Sequence, residues 1–349
     1  MTAKKAQANG KNNKKFKFKS NKERVNYFLS LFEKQDKVLI LIWADPDSLS
    51  SAFAVKRILN NRVEKITIAH TNEITRLNNQ VMVKVLRIPI VKFSPHMIQD
   101  HNKFILIDSQ PSHQEEFSEI RWTAVIDHHP LTEGWEADYV DIRPEYGATA
   151  TILFEYLRSL KIKPTVNLAT ALIYGIKTDT DNFEKGANLQ DVMAFHKLYQ
   201  YINRHLLSKI ESSDLRRSEL KYFKTALDQI KFQKNRMFTY VGKVSSSDVL
   251  VLIADFLNKV YETSWVFVGG RYKKKLIIII RCDGYRKDAG KLATRLFKEI
   301  GLAGGHREKA RAEIPFENLD TPPEEFTTQC LIKLFDKYFR LIDRRSKKK

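Results

Sequence analysis

The triplet Asp127-His128-His129 follows the apolar run Ala124-Val125-Ile126 and precedes Pro130. Two imidazoles and a carboxylate at the end of a buried strand are costly unless they have partners. Three further acidic clusters follow strand-like runs or a helix end. They are Asp45-Pro46-Asp47 after Leu39-Ile40-Leu41-Ile42, Asp108 after Phe104-Ile105-Leu106-Ile107, and Thr178-Asp179-Thr180-Asp181 after Ala171 to Ile176. Ligands of open α/β sheets bind at the carboxyl ends of the strands. The three clusters that follow strands therefore converge on one edge, and the fourth reaches it from a neighbouring helix. Carboxylates gathered in one crevice repel each other, and a divalent cation offsets that repulsion. Mixed Asp and His donors favour Mn²⁺, with Mg²⁺, Fe²⁺ or Zn²⁺ as alternatives. The set is large enough for two ions roughly 3.5–4 Å apart, an arrangement that activates water against phosphoesters and stabilises the charge that develops.

The elements that must hold these residues are legible as an alternation. Asn21 to Glu33 predicts a helix with Val25, Phe28, Leu29 and Phe32 on one face. Lys37 to Ala44 reads as a strand buried on both faces, as in a parallel sheet. Ile66 to Ala69, Phe104 to Ile107 and Thr123 to Ile126 read the same way, and helical stretches at Leu49–Leu59, Gly147–Leu160 and Val166–Lys177 alternate with them. This alternation predicts an α/β, doubly wound parallel-sheet domain. A mostly helical connecting region follows at 189–230. A smaller α/β domain comes next, with strands at Met237–Val244, Ser264–Val268 and Leu276–Arg281. Its helices are expected at Asp248–Val260, with Ser245-Ser246-Ser247 as N-cap, and at Asp288–Ile300 before Gly301. Thr321-Pro322-Pro323-Glu324-Glu325 predicts the first turn of a last helix. The expected division is a basic tail over 1–20, a catalytic domain over 21–188, a helical linker over 189–230, an α/β domain over 231–320, and a C-terminal helix and basic tail over 321–349.

The 349 residues allow a substantial core. Residues 1–24 hold nine Lys/Arg against one Glu and residues 337–349 seven against one Asp, so the ends carry +14 of the +19 net charge. The body is only mildly basic. Two cysteines, Cys282 and Cys330, give no disulfide framework and no thiolate metal site. The N-terminus lacks the apolar core of a signal peptide, and no apolar run is long enough to span a bilayer. A soluble cytoplasmic protein without a membrane partner is the simplest expectation.

The ordered set Asp45-Pro46-Asp47-Ser48-Leu49-Ser50-Ser51, Asp108, Asp127-His128-His129 and Thr178-Asp179-Thr180 resembles the DHH phosphoesterase superfamily. Ile280-Arg281 and Gly304-Gly305-His306, with Arg307, Lys309 and Arg311 behind them, resemble the substrate-binding subdomain of nanoRNases, RecJ-like exonucleases and cyclic-dinucleotide phosphodiesterases. The resemblance covers roughly residues 25–320. It implies that Asp45, Asp47, Asp108, His128 and Asp179 are metal ligands, with Asp108 bridging two ions. It implies that His129 meets the scissile phosphate or leaving group and that Asp127 orients a histidine. Arg281, Gly304, Gly305 and His306 would hold the substrate's terminal phosphate or base, the glycines by close backbone approach. Substrate would enter between the two domains. The chain departs from the pattern in two places. Leu41 stands where the family has a ligating His, with His70 as a substitute, and the segment after His306 reads Arg307-Glu308-Lys309-Ala310 instead of Ala-Ala-Gly.

The expected function is metal-dependent hydrolysis of phosphodiester or phosphomonoester bonds in short oligonucleotides, RNA or DNA, or nucleotides, with one or two Mn²⁺ (or Mg²⁺). The alternatives are a nucleotide- or RNA-binding protein on a degenerate scaffold, motivated by Leu41, and a polyphosphate or pyrophosphate hydrolase. The basic tails either solubilise or add non-specific polyanion contact, with Phe16 and Phe18 available to stack on bases. Leu331, Leu334, Phe335, Tyr338, Phe339 and Ile342 form an apolar stripe that packs on the second domain or forms a homodimer contact.

Overall fold

The computed structural model describes residues 18–285 and 287–346. It divides into two compact units, 1–213 and 214–349, so the boundary falls inside the segment expected as a linker.

The first unit runs α1 (Asn21–Ser30), β1 (Lys37–Ile42), α2 (Pro46–Leu59), β2 (Lys65–His70), α3 (Leu77–Leu86), β3 (Ile90–Lys92), β4 (Lys103–Ile107), α4 (Glu115–Ser118), β5 (Trp122–Asp127), β6 (Ala137–Ile142), α5 (Thr149–Ser159), α6 (Val166–Asp179), α7 (Leu189–Leu198) and α8 (Arg204–Glu211). Its six strands are ordered β3-β2-β1-β4-β5-β6, and every pairing is parallel. The order reverses between β1 and β4, which is where a doubly wound sheet opens a crevice at the carboxyl ends. Strand β1 serves two cores by alternation. Val38, Ile40 and Ile42 pack with α1, α2, α5 and α6 on one face. Leu39 and Leu41 pack with Ala69, Leu106, Trp122 and Val125 on the other.

Two local features hold the crevice-side helices together. Pro46 opens α2 at the first helical position, where a missing N–H costs nothing. On α6, a Cβ at Gly175 would lie 2.5 Å from Ser50 Oγ, 3.1 Å from the Pro46 carbonyl and 3.2 Å from Asp47 Cα. Glycine is thus what lets α6 lie against the first turn of α2. Gly175→Ala is expected to cost about 1–3 kcal/mol through overpacking. A lower melting temperature together with weaker divalent-ion binding in calorimetry would show it, because the displaced residues include Asp47.

The second unit runs α9 (Leu220–Asp228), β7 (Lys231–Gln233), β8 (Arg236–Lys243), α10 (Asp248–Leu257), β9 (Trp265–Tyr272), β10 (Lys275–Cys282), α11 (Ala289–Phe297), β11 (Leu302–Gly305), β12 (Lys309–Pro315) and α12 (Thr328–Ser346). Its six strands form a mixed sheet, β11-β12-β10-β9-β8-β7, in which only β8 and β9 pair in parallel. One face carries α10. The other carries α11 and α12, with Leu331, Phe335 and Phe339 buried and Leu334 beside them, so the apolar stripe packs on its own sheet. The side chains of Tyr338 and Ile342 lie outside the described residues, as do Phe16 and the basic tail before Phe18.

Three expectations are corrected. The last helix starts at Thr328, not at Thr321. Glu324 is held by Arg271 at 2.6 Å and Glu325 N–H bonds the Pro322 carbonyl, which keeps the Pro-Pro segment as a turn. Before α10, Ser247 gives no side-chain cap, and Ser246 Oγ accepts from the Asp248 N–H instead. Phe18 packs against Tyr27 and Tyr139, at 5.7 and 6.1 Å between ring centres, with the Arg24 guanidinium over it. That ring is therefore occupied within the first unit. Cys282 and Cys330 are free thiols. No helix among the described residues is long and apolar enough to cross a membrane.

Candidate metal centre

The crevice at the end of β1 and β4 collects the acidic and imidazole side chains. Asp45 caps α2: its Oδ1 accepts from the Ser48 N–H at 2.9 Å, and Ser48 Oγ accepts from the Asp45 N–H in return. Asp47 lies in the first turn of the same helix and is 1% exposed. Its carboxylate reaches a second helix, accepting from the Thr149 N–H at 2.7 Å and the Ala150 N–H at 2.8 Å. Helix α5 needs this, because its own N-cap residue is Ala148, which has no capping side chain. Asp108, just past β4, has φ +59°, an uncommon conformation that Asp and Asn tolerate better than most residues. Its N–H bonds the Ile126 carbonyl, and its Oδ1 accepts from Thr149 Oγ1 at 2.8 Å.

The two histidines are held in different ways. His128 Nδ1 lies 3.1 Å from the Tyr146 carbonyl, which can only accept, so Nδ1 carries the proton. Nε2 then faces the acids, 2.9 Å from Asp179 Oδ2 and 3.6 Å from Asp108 Oδ1. It is buried without a hydrogen-bond partner, close enough to Asp179 for a bond yet not aligned for one. An orphaned imidazole nitrogen facing carboxylates is the donor arrangement a divalent ion completes. His129 Nδ1 is 2.8 Å from Asp127 Oδ1. Asp127 is fully buried. Its other oxygen accepts from Gln110 Nε2 at 2.7 Å, while Gln110 Oε1 accepts from the Thr132 N–H and hydroxyl.

The electrostatics follow from burial and crowding. Burial and the neighbouring Asp179 and Asp45 charges push Asp47 up to about 7, even against the nearby His128. Asp108 is driven well above the carboxylate range by burial and by the charges of Asp47, Asp45, Asp127 and Asp179. Asp45 rises through burial. Burial would raise Asp127 too, but the bonds from His129 and Gln110 outweigh it and hold it low. Burial would lower His128, yet Asp179 and Asp47 carry it up to about 9. The bond to Asp127 raises His129.

Among the described residues, two groups of ligand atoms lie within 4.8 Å of one another: Asp108, His128 and His129, and Asp47, His128 and Asp179. His128 belongs to both. Asp45 belongs to neither and is engaged as a cap, while His129 falls inside a group. Leu41 is fully buried in the second core and offers no donor. His70 bonds the Asn72 carbonyl through Nδ1 and joins neither group.

In the second unit, Arg281 is 6% exposed, with Nε 2.6 Å from Asp255 of α10 and a guanidinium nitrogen on its neighbour's carbonyl. Gly304 and Gly305 belong to the edge strand β11 and not to a loop, and His306 opens the hairpin by donating its N–H to the Lys309 carbonyl. The hairpin meets the end of β10, where Arg281 pairs with Lys309. Gly305 has φ +149°, and a Cβ there would lie 2.3 Å from the Lys309 carbonyl. The Gly290 N–H bonds the His306 carbonyl, and a Cβ at Gly290 would lie 2.4 Å from the Gly305 carbonyl oxygen, so α11 lies close against the hairpin, while Gly304 has open space around it.

Sequence reasoning missed Gln110, His113, Tyr146, Thr149 and Asp191. Asp191 is fully buried and accepts from the Gly147 N–H and the Thr151 hydroxyl, fixing the approach to α5. None of these residues has a spacing signal, because each acts through contacts distant in sequence.

A doubly wound sheet with carboxylates and imidazoles gathered at its switch point is an arrangement that could hold divalent ions. Residues 37–176 match the DHH family, N-terminal domain, a family whose members are phosphoesterases. An uncharacterized protein of Methanocaldococcus jannaschii is 34% identical over 286 residues, 81% of this chain. The chain spans 59% of that relative's length. A second uncharacterized protein of the same organism is 24% identical over 306 residues, covering 81% of this chain and 89% of its own. The crystal structure of an exopolyphosphatase-related protein from Bacteroides fragilis shares the fold, with a TM-score of 0.68 at 17% identity, over 92% of this chain and 97% of that one.

Proposed function

We propose that the chain hydrolyses phosphodiester or phosphomonoester bonds of short oligonucleotides or nucleotides, with Mn²⁺ as the preferred ion and Mg²⁺ as the alternative. The orphaned Nε2 of His128 among the carboxylates carries the reading. Asp47, Asp108, His128 and Asp179 would hold the ion, and the mixed carboxylate and imidazole donors suit Mn²⁺. A bound divalent ion supplies a more acidic water and offsets charge on the phosphoryl oxygens. The protein's own groups do the rest. Asp127 orients His129 through Nδ1 and favours its imidazolium form, from which Nε2–H could pass a proton to the departing oxygen and return to a lone pair. Gln110 holds Asp127 in turn.

The experiment is a substrate panel with the metal content verified: di- to pentanucleotides, cyclic dinucleotides, 3′,5′-bisphosphonucleosides, pyrophosphate and polyphosphate. Release of mononucleotide or phosphate from the nucleotide arms is expected, and release from none of the arms overturns the proposal. The burial of Leu41 in the core favours one other reading, a nucleotide-binding protein without turnover. Tight mononucleotide binding with no hydrolysis in any arm would select it.

The metal-free protein should also lose stability as pH rises. Asp47 and His128 hold protons in the folded state beyond their ordinary ranges, to about 7 and about 9. The folded form therefore binds more protons than the unfolded chain from roughly pH 4 to 9, and stability falls across that window. Thermal melts in chelator should decline from pH 5 to pH 8.5, and Mn²⁺ should raise the melting temperature more at pH 8.5 than at pH 5. A flat profile in chelator would contradict the crowded-site electrostatics.

A further inference from the structure

His113 lies outside both candidate ligand groups, yet its ring stands edge-on to His129, 5.9 Å between centres and 85° between planes. It ends the short turn of 3-10 helix Pro111–His113 and is exposed. Its Nδ1 lies 3.2 Å from the Gln110 backbone nitrogen and 3.3 Å from Ser109 Oγ. A backbone N–H can only donate, so Nδ1 must accept, and the neutral ring carries its proton on Nε2. His129 has the opposite tautomer, because ionised Asp127 can only accept and fixes the proton on Nδ1. The crevice thus holds two adjacent imidazoles of different kinds. When neutral, one offers a lone pair at Nε2, and the other offers an N–H at Nε2 that the turn has set in advance.

We propose that His113 is a substrate-contacting residue whose Nε2–H donates to a non-bridging oxygen of the phosphoryl group that His129 serves. The proposal rests on the phosphoesterase reading. A donor whose tautomer is fixed by the backbone needs no rearrangement when the phosphate arrives, which is the condition under which such bonds contribute most. Gln110 links the two rings: its N–H sets His113 and its side chain sets Asp127, which sets His129.

The test uses the full chain loaded with Mn²⁺ and the variants His113→Asn and His113→Gln. Asn can place Oδ1 where Nδ1 was and keep the bond from the Gln110 N–H, but it has no group at the Nε2 position. Gln can place an N–H there. Two readouts are taken, kcat/KM on a linear dinucleotide and calorimetric affinity for adenosine monophosphate. The expected result for H113N is an unchanged melting temperature with kcat/KM lower by about ten- to a hundredfold and affinity lower by about tenfold, as for a lost hydrogen bond to a charged group. H113Q should recover part of both. H113N within twofold of wild type, or H113Q no better than H113N, overturns the proposal and leaves His113 as a brace for the turn. If wild type cleaves no phosphoester, the functional reading fails separately and the monophosphate affinities decide. A tenfold loss in H113N supports the donor, and no loss, or no binding by wild type, overturns it.

Discussion

Asp108→Asn is expected to lower kcat/KM by roughly three orders of magnitude or more, since it removes charge from a candidate ligand that faces His128, the residue shared by both candidate groups. The variant is chosen for its backbone. Asp108 has φ +59°, which Asn adopts readily and Ala does not, so the strand end should keep its course. The Asn oxygen can still accept from Thr149 Oγ1, as Asp108 Oδ1 does at 2.8 Å. In the metal-free protein the native carboxyl is already driven well above its ordinary range by burial and its acidic neighbours. Exchange for a neutral amide should therefore leave the melting temperature in chelator unchanged or slightly higher. Metal analysis, turnover and melting on one preparation separate the outcomes. Retention of more than about a tenth of the activity with full metal content would remove Asp108 from the centre.

Asp47→Ala should be the most destabilising of the acidic-site substitutions. Its carboxylate is the cap that α5 lacks in its own sequence, accepting from the Thr149 and Ala150 N–H groups. Removal strands two buried donors and costs about 3–4 kcal/mol, combining a lost cap with unsatisfied backbone groups. In a unit of this size that lowers the melting temperature by about 8–12 °C. Asp47→Asn should recover part of the stability, because an amide oxygen can still accept, but not the metal affinity. A melting temperature within about 2 °C of wild type for the alanine variant would show that water or a local shift satisfies the start of α5.

The strand-helix alternation and the acidic strand ends were readable because they are local. Continuous apolar runs ending in Asp or Asp-His-His mark strands buried on both faces, and β1 does divide its side chains between two cores. The convergence of Asp45, Asp108 and Asp127 needed only the rule for parallel sheets. What escaped was tertiary. Nothing in Asp45-Pro46-Asp47 announces that Asp47 caps a helix 102 residues further on. Gln110 is a single polar residue until Asp127 is placed 2.7 Å from it. Pro322-Pro323-Glu324-Glu325 has the composition of a helix start, but Arg271 on β9 claims Glu324 and the helix waits for Thr328. Gly304-Gly305 suggested a phosphate loop, whereas the pair sits in an edge strand where Lys309 and Ala310 of β12 leave Gly305 no space for a side chain.

The double engagement of Asp47 bears on how this chain and its relatives can drift. If the chain catalyses as proposed, a descendant that stopped doing so could shed Asp179 at little structural expense, and His129 at the cost of one of the bonds that buried Asp127 keeps, since neither caps a helix. It could not discard the acid at position 47 so easily, because the beginning of α5 would go with it. An inactive cousin should therefore still display that aspartate. Its presence in a newly sequenced homologue then says that the scaffold is intact, and the imidazole at 129 with the carboxylate at 179 says more about whether the homologue still works.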